Sequence, residues 1–474
     1  MTLTVLREAI ETARTLKTPR CVKTGRKNVK ADRDWLEDML AKGRLGAVYG
    51  LNTSVGHQDS AALSDESIRT LQKRVIESHC LSQSGSTGHW DDFDARLVGV
   101  AKLFALSSGG SGITPALYDG IAKAVCARDF KPRLGVGQSY SCGDVIPAAH
   151  WSNQLMQWLG KPLDTLRGGE MMALINGFFF HAGLAAGNFV RAEQMLNIAT
   201  AASAATAKLS GCPRRNFARD LPRHMKAAQR ALSHVQKQCP AGDPMKTAPQ
   251  SSVSIRAIPE TLIALFETVE ALGVQVDRAL AMPSGNPLIQ RDVQGGAVTS
   301  QASFLAPGIA FAQSALLEAI LFAATAVVGR VNFQLAGYNH RVPRDGVSDI
   351  SSDVGLIQVP KEMMAQVERL RLAAGRRLFA SGSNTSHGIE DLWTYGEEAS
   401  ALLNEAIETL TGLFIRELAV CELVALRHCG EKPVYYKGPA NPKGIMAQQL
   451  VTVDKWLRTN RDAISPLPQE CLGK

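Results

Sequence analysis

At 474 residues, with 45% apolar and 20% charged side chains, the chain has the composition of a globular protein able to bury an extensive core. Its formal charge is +8, yet the basic residues are dispersed and lack interleaved aromatics, which argues against a nucleic-acid partner. Nine cysteines without a CxxC motif or paired spacing point to a reducing, cytoplasmic compartment, and no His, Cys, Asp and Glu set has metal-ligand spacing.

The N-terminus carries charges throughout and does not read as a secretory signal. Up to about Gly177 the chain mixes short segments with many Gly, Ser and Asn turn signals. Within that portion lie a Gly-flanked loop, Tyr49-Gly50-Leu51-Asn52-Thr53-Ser54-Val55-Gly56, and the paired segments Leu71-Gln72 and Ser78-His79. The next motif is the most informative: Gly137-Gln138-Ser139-Tyr140-Ser141-Cys142-Gly143-Asp144, followed by Pro147. Its order is the one a backbone needs to cyclise on itself. Gly143 has no Cβ, so its amide nitrogen can reach back to the carbonyl of Ser141. Loss of water closes a five-membered ring, and elimination from the middle side chain leaves an exocyclic methylidene. The product is an electrophile that the twenty side chains do not supply unaided. The middle residue is Cys142, so elimination expels sulfide, and thiol is a better leaving group than hydroxyl.

Beyond Gly177 the chain reads as long helices. Pro259 to Met282, Gln301 to Val331, Pro360 to Phe379 and Gly396 to His428 place apolar residues at helical spacing over many turns. Helices of this length must pack into a bundle, within the subunit or between subunits. The most apolar run, Phe304 to Gly329, is interrupted by Pro307, Gln313 and Glu318 and reads as a core helix rather than a membrane span. The expected fold is mainly α. An irregular N-terminal portion, 1–190, carries the cyclising loop, and a long-helix bundle, 191–474, continues the same structural unit.

The cyclising segment resembles the prosthetic-group segment of the aromatic amino acid ammonia-lyases, the histidine and phenylalanine lyase family. Further motifs match in the family's order from about Tyr49 to about Asp391. The resemblance implies that Ser141-Cys142-Gly143 matures autocatalytically into a methylidene-imidazolone, without a metal. It implies that Tyr49, in a loop similar to Tyr-Gly-x-Asn-Thr-Gly-x-Gly, removes the substrate β-proton. Ser78 and His79 correspond to the segment shaping the substrate side-chain pocket. Glu170 to Gly177 resembles Glu-Gly-Leu-Ala-Leu-Ile-Asn-Gly, with Asn176 hydrogen-bonding the substrate and the prosthetic group. Gln250 to Arg256 resembles Gln-x-x-Tyr-Ser-x-Arg. Gln250 would orient the reacting groups, and Arg256 would hold the substrate carboxylate bidentately. Val253 stands where the family has Tyr. Glu390, in Gly388-Ile389-Glu390-Asp391, would contact the substrate amine or side chain, or act as a second base.

The implied activity is elimination of ammonia from an α-amino acid with a histidine-like, aromatic or other polar side chain. The implied assembly is a homotetramer whose active sites draw on several subunits, with no nucleic acid or membrane partner. A 2,3-aminomutase using the same group is the sister reading. A non-catalytic relative lacking the group is the third, against which the retained Tyr49, Asn176 and Arg256 argue.

Overall fold

The structure is a computed structural model that describes residues 3–56, 62–81, 88–239, 251–293, 295–338, 341–375, 385–439 and 444–467. The described residues form fifteen α-helices and one small sheet. In chain order the helices begin with α1 (Thr4–Thr15), α2 (Cys21–Ala41), α3 (Asp65–Leu81), α4 (Asp92–Ser107), α5 (Pro115–Val125) and α6 (Val145–Trp158). They continue with α7 (Glu170–Ile175), α8 (Phe179–Ser210), α9 (Lys226–Gln238), α10 (Val253–Arg256) and α11 (Ile258–Leu280). The last four are α12 (Pro307–Leu335), α13 (Val359–Ala374), α14 (Gly396–Cys429) and α15 (Met446–Thr459). Strands β1 (Leu288–Gln290) and β2 (Ala297–Thr299) pair antiparallel, with Leu288 opposite Thr299.

Local signals account for many of the boundaries. Asp91 caps α4 by accepting from the amide of Asp94, and Thr114 caps α5 by accepting from that of Leu117, with Pro115 in the first turn. Left-handed glycines, Gly211 and Gly430, end α8 and α14. The expected helix from Gln301 starts six residues later, at Pro307. Its lead-in is instead tied across the chain by Ser303 Oγ donating to the carbonyl of Gly285 at 2.8 Å. The N-terminal portion is also more helical than its turn signals suggest, because seven helices, α1 to α7, run between its loops.

Four long helices, α8, α11, α12 and α14, make the centre of the bundle. Helix α8 is buried on nearly every side and carries mostly Ala and other small residues. It therefore has no single apolar stripe for periodicity to reveal. One charged pair lies inside: Arg330 of α12 donates to both oxygens of Glu417 of α14, at 2.5 and 2.9 Å, with both side chains fully buried. Thr206 of α8 adds a hydroxyl to the same carboxylate at 2.7 Å. Near the other end of the bundle Gln313 donates to Ser400 Oγ at 2.7 Å, and Asn188 to the Ser400 carbonyl at 2.8 Å. These contacts set the register of α8, α12 and α14 beside the cyclising loop.

Candidate active site

The loop before α6 is bent back on itself. Gly137, Ser141, Gly143 and Asp144 all take positive φ, at 78°, 63°, 84° and 51°. Left-handed backbone costs a side-chain-bearing residue about 1 kcal/mol or more, so Ser141 and Asp144 need support. The support is dense. Ser139 Oγ donates to Asp144 Oδ1 at 2.6 Å and accepts from the Ser141 amide at 2.9 Å. His181 of α8 meets Asp144 Oδ2 through Nδ1 at 2.6 Å and through its backbone amide at 3.3 Å. The Gly177 amide donates to the Gly143 carbonyl at 3.2 Å. Burial opposes the charge on Asp144, but His181 and the Ser139 hydroxyl outweigh it and hold the carboxyl below its usual range.

The residues present fit a cyclised group. A Cβ on Gly143 would stand 2.8 Å from Asn176 Nδ2, so only glycine fits beside that amide. Asn176 Oδ1 is buried with no hydrogen-bond partner among the described residues, leaving an acceptor available at the loop. The backbone carbonyl of Asn176 accepts from Lys102 Nζ at 3.1 Å. Lys102 is fully buried over the ring of Phe179, and burial draws its pKa down to about 7. The Cys142 thiol is pushed up to about 12 by burial and by the charges of Glu390, Asp144 and Asp391. It stays protonated, the form that can depart as hydrosulfide.

Two sequence-predicted elements reach this loop, the end of α7 at Asn176 and the Glu390 turn, and a third, the Tyr49 loop, reaches α7. The Tyr49 loop packs on α7, where a Cβ on Gly50, at φ 63°, would fall 2.5 Å from Met172 Cγ. Helix α7 ends at Asn176, so the Tyr49 loop and the cyclising loop flank one short helix. The hydroxyl oxygen of Tyr49 accepts the Gly56 amide at 3.2 Å. Glu390 sits in a closed turn whose backbone pairs Thr385 with Glu390. Its Oε2 accepts from Tyr140 at 2.6 Å and from Thr385 at 2.7 Å, which binds that turn to the residue before Ser141. Burial and Glu390 together push the Tyr140 phenol up to about 12.

Ser78 and His79 lie at the end of α3, which packs on α6. Both bond locally to the Val75 carbonyl, His79 Nδ1 at 2.6 Å and Ser78 Oγ at 2.9 Å. His79 also faces α6, where burial and the His79 charge lower the pKa of His150. Gln72 straps α3 to the start of α7, accepting from the Met171 amide at 3.2 Å and donating to the Leu166 carbonyl at 3.1 Å.

Arg256 is not brought to the loop within the chain. It lies on α10, with Nε donating to the Ser251 carbonyl at 3.0 Å, and Val253 beside it is exposed. Ser254 of α10 packs against Gly329 of α12. Gln313, sixteen residues earlier on α12, is level with Ser400 and the site, so α10 lies about 24 Å along the bundle from it. Gln250 lies outside the described residues.

Sequence reasoning missed Tyr140, His181 and Lys102. His181 alone carried a signal, a polar residue directly after the apolar run Phe178-Phe179-Phe180. Among the described residues no group of three or more His, Cys, Asp and Glu is arranged to hold a metal.

Residues 5–443 match the family model described as aromatic amino acid lyase. The histidine ammonia-lyase of Salmonella arizonae is 26% identical over 435 residues, covering 83% of this chain and 81% of that protein. Among solved structures, the ergothionase of Treponema denticola superposes with a TM-score of 0.82 at 16% identity, over 97% of each chain. The phenylalanine aminomutase of Pantoea agglomerans superposes at 0.78 and 17% identity, over 99% of this chain and 97% of that one.

Proposed function

This chain belongs to the aromatic amino acid lyase family and is a carbon–nitrogen lyase, and on that premise we propose that it eliminates ammonia from an α-amino acid through an electrophile formed from Ser141-Cys142-Gly143. The observation that carries the proposal is the folded-back loop, with Gly143 against the Asn176 amide and Ser141, Gly143 and Asp144 all in the left-handed region. Once formed, a methylidene-imidazolone supplies an electrophile for the substrate amine. Every other task falls to side chains.

Tyr49 takes the β-proton, the Gly56 amide donating to its oxygen and so favouring the phenolate that acts as base. Asn176 offers its unoccupied Oδ1 to a donor on substrate or group. Glu390, anchored through one oxygen, presents its charge beside Cys142 and favours a substrate with a cationic or polar hydrogen-bonding side chain. Ser78 and His79 contribute to the wall of that side-chain pocket. Gln250 orients the reacting groups.

Arg256 grips the carboxylate of a substrate bound in another subunit's loop. Two observations support such sharing: the separation of α10 from the loop, and the face of α12. That helix is apolar but only half of its most apolar stretch is covered within the chain. Phe311 and Phe322, 57% and 53% exposed, lie on its outer side. In the proposed homotetramer this stripe is buried between subunits, and Arg256 reaches a neighbour's Ser141. Eight cysteines among the described residues stand as thiols rather than disulfides, which fits a cytoplasmic location.

The test is ammonia release screened across histidine, phenylalanine and tyrosine, with the carbon product identified. An α,β-unsaturated acid supports the lyase, and a β-amino acid identifies an aminomutase. No turnover of any amino acid contradicts the proposal.

A further inference from the structure

The turn that opens α14 touches the cyclising segment at several atoms, and none of the roles above uses it. Thr394 is buried, and its Oγ1 donates to the carbonyl oxygen of Ser141 at 3.3 Å. Three residues on, the Glu397 amide donates to Ser141 Oγ at 3.1 Å. The Glu397 carboxylate accepts three successive amides, those of Gly137, Gln138 and Ser139, at 2.8, 3.1 and 2.7 Å. Between them the Tyr395 amide donates to the Tyr140 carbonyl at 3.1 Å. The backbone from Gly137 to Ser141 is thus gripped from one side by residues more than 250 positions away.

The Ser141 carbonyl carbon is the atom that the Gly143 nitrogen must attack for the ring to close. Attack drives the carbonyl π pair onto oxygen, and a hydroxyl donor already aimed at that oxygen meets the charge as it develops. We propose that Thr394 is a catalytic residue of maturation, stabilising the oxyanion on Ser141, and that Glu397 is the positioning residue that holds the preceding backbone for it. This inference rests on the reading that the segment cyclises.

The step balances without oxidant or reductant. A bond forms between Gly143 N and Ser141 C, and the Gly143 amide proton passes to the former carbonyl oxygen. That hydroxyl leaves as water with the proton of the Cys142 amide nitrogen, forming a C=N bond. The Cys142 α-proton and the hydrosulfide then leave as hydrogen sulfide, forming the exocyclic C=C bond. Thr394 gives up no proton overall.

The experiment compares wild type, Thr394→Val, Thr394→Ser and Glu397→Gln by intact mass and near-ultraviolet absorbance at intervals after expression. Circular dichroism serves as the folding control. Wild type and Thr394→Ser are expected to lose one water and one hydrogen sulfide. Thr394→Val, isosteric but without the hydroxyl, is expected to mature about 10²-fold more slowly, the usual effect of removing one oxyanion donor. Glu397→Gln is expected to slow maturation while keeping the fold. Folded Thr394→Val maturing at the wild-type rate overturns the role of Thr394 and leaves the cyclisation reading intact. Thr394→Ser as slow as Thr394→Val also overturns it, since the hydroxyl is then not the operative group. Glu397→Gln maturing normally overturns the positioning role. A wild-type chain of unmodified mass overturns the cyclisation reading and this inference with it.

Discussion

Gly143 and Asn176 are packed so closely that any Cβ at 143 would stand 2.8 Å from the Asn176 side-chain amide. This contact joins the segment that would become the electrophile to the end of α7, and through Met172 to the Tyr49 loop. It also makes glycine obligatory twice over, because φ at 143 is 84°. Gly143→Ala should lower stability by about 1–3 kcal/mol and leave a chain without near-ultraviolet absorbance from a cyclised group. A Gly143→Ala protein with wild-type stability and spectrum would show that the contact is not required.

Sites shared between subunits should complement one another. Tyr49→Phe and Arg256→Ala should each lower activity by about 10²-fold or more. Co-expression of the two inactive chains should restore a measurable fraction, because some sites then combine an intact Tyr49 with a neighbour's Arg256. Failure of the mixture to exceed either parent would mean that Arg256 does not act across subunits.

How much of this was legible beforehand differs by element. Helices α11, α13 and α14 announced themselves through apolar periodicity, since each has a face on the core, and α12 through the length of its apolar run. Helix α8 did not, because a helix buried all round shows no stripe. The cyclising order at Ser141 to Asp144 was readable because the covalent chemistry depends on immediate neighbours. Its bracing was not. Glu397 sits at the start of α14, where an acidic residue ordinarily offsets the helix dipole, and nothing local tells that its carboxylate reaches Gly137 to Ser139. Arg256 was identified through its resemblance to the family's Gln-x-x-Tyr-Ser-x-Arg segment, and the bundle's dimensions set α10 about 24 Å from the loop of its own chain.

Lys102 makes stability depend on pH in a defined direction. Burial depresses its folded pKa from 10.5 to about 7, so between these values the unfolded chain binds more protons than the folded one. Its contribution is present above the unfolded pKa and is lost as pH falls through about 7. Relative to Lys102→Met, wild type should therefore gain stability as pH rises from about 7 toward 10.5, as read by urea denaturation. A difference between the two that does not vary with pH would place the titration elsewhere.

The Arg330–Glu417 pair provides a test of the bundle core. Removing one member of a fully buried pair leaves the other charge without compensation, typically at a cost of about 3–5 kcal/mol. Arg330→Met should lose stability on that scale, because Glu417 would retain only the Thr206 hydroxyl. The double variant Arg330→Met/Glu417→Leu should recover most of the loss. Equal stability of Arg330→Met and wild type would show that the pair is not compensating a buried charge.

The central claim is that Ser141-Cys142-Gly143 becomes an electrophile. Intact mass of the purified wild-type chain, read with its near-ultraviolet spectrum, tests this most directly. The expected mass is that of the sequence less one water and one hydrogen sulfide, accompanied by new near-ultraviolet absorbance. A mass equal to the unmodified sequence, with no such absorbance, would contradict the account.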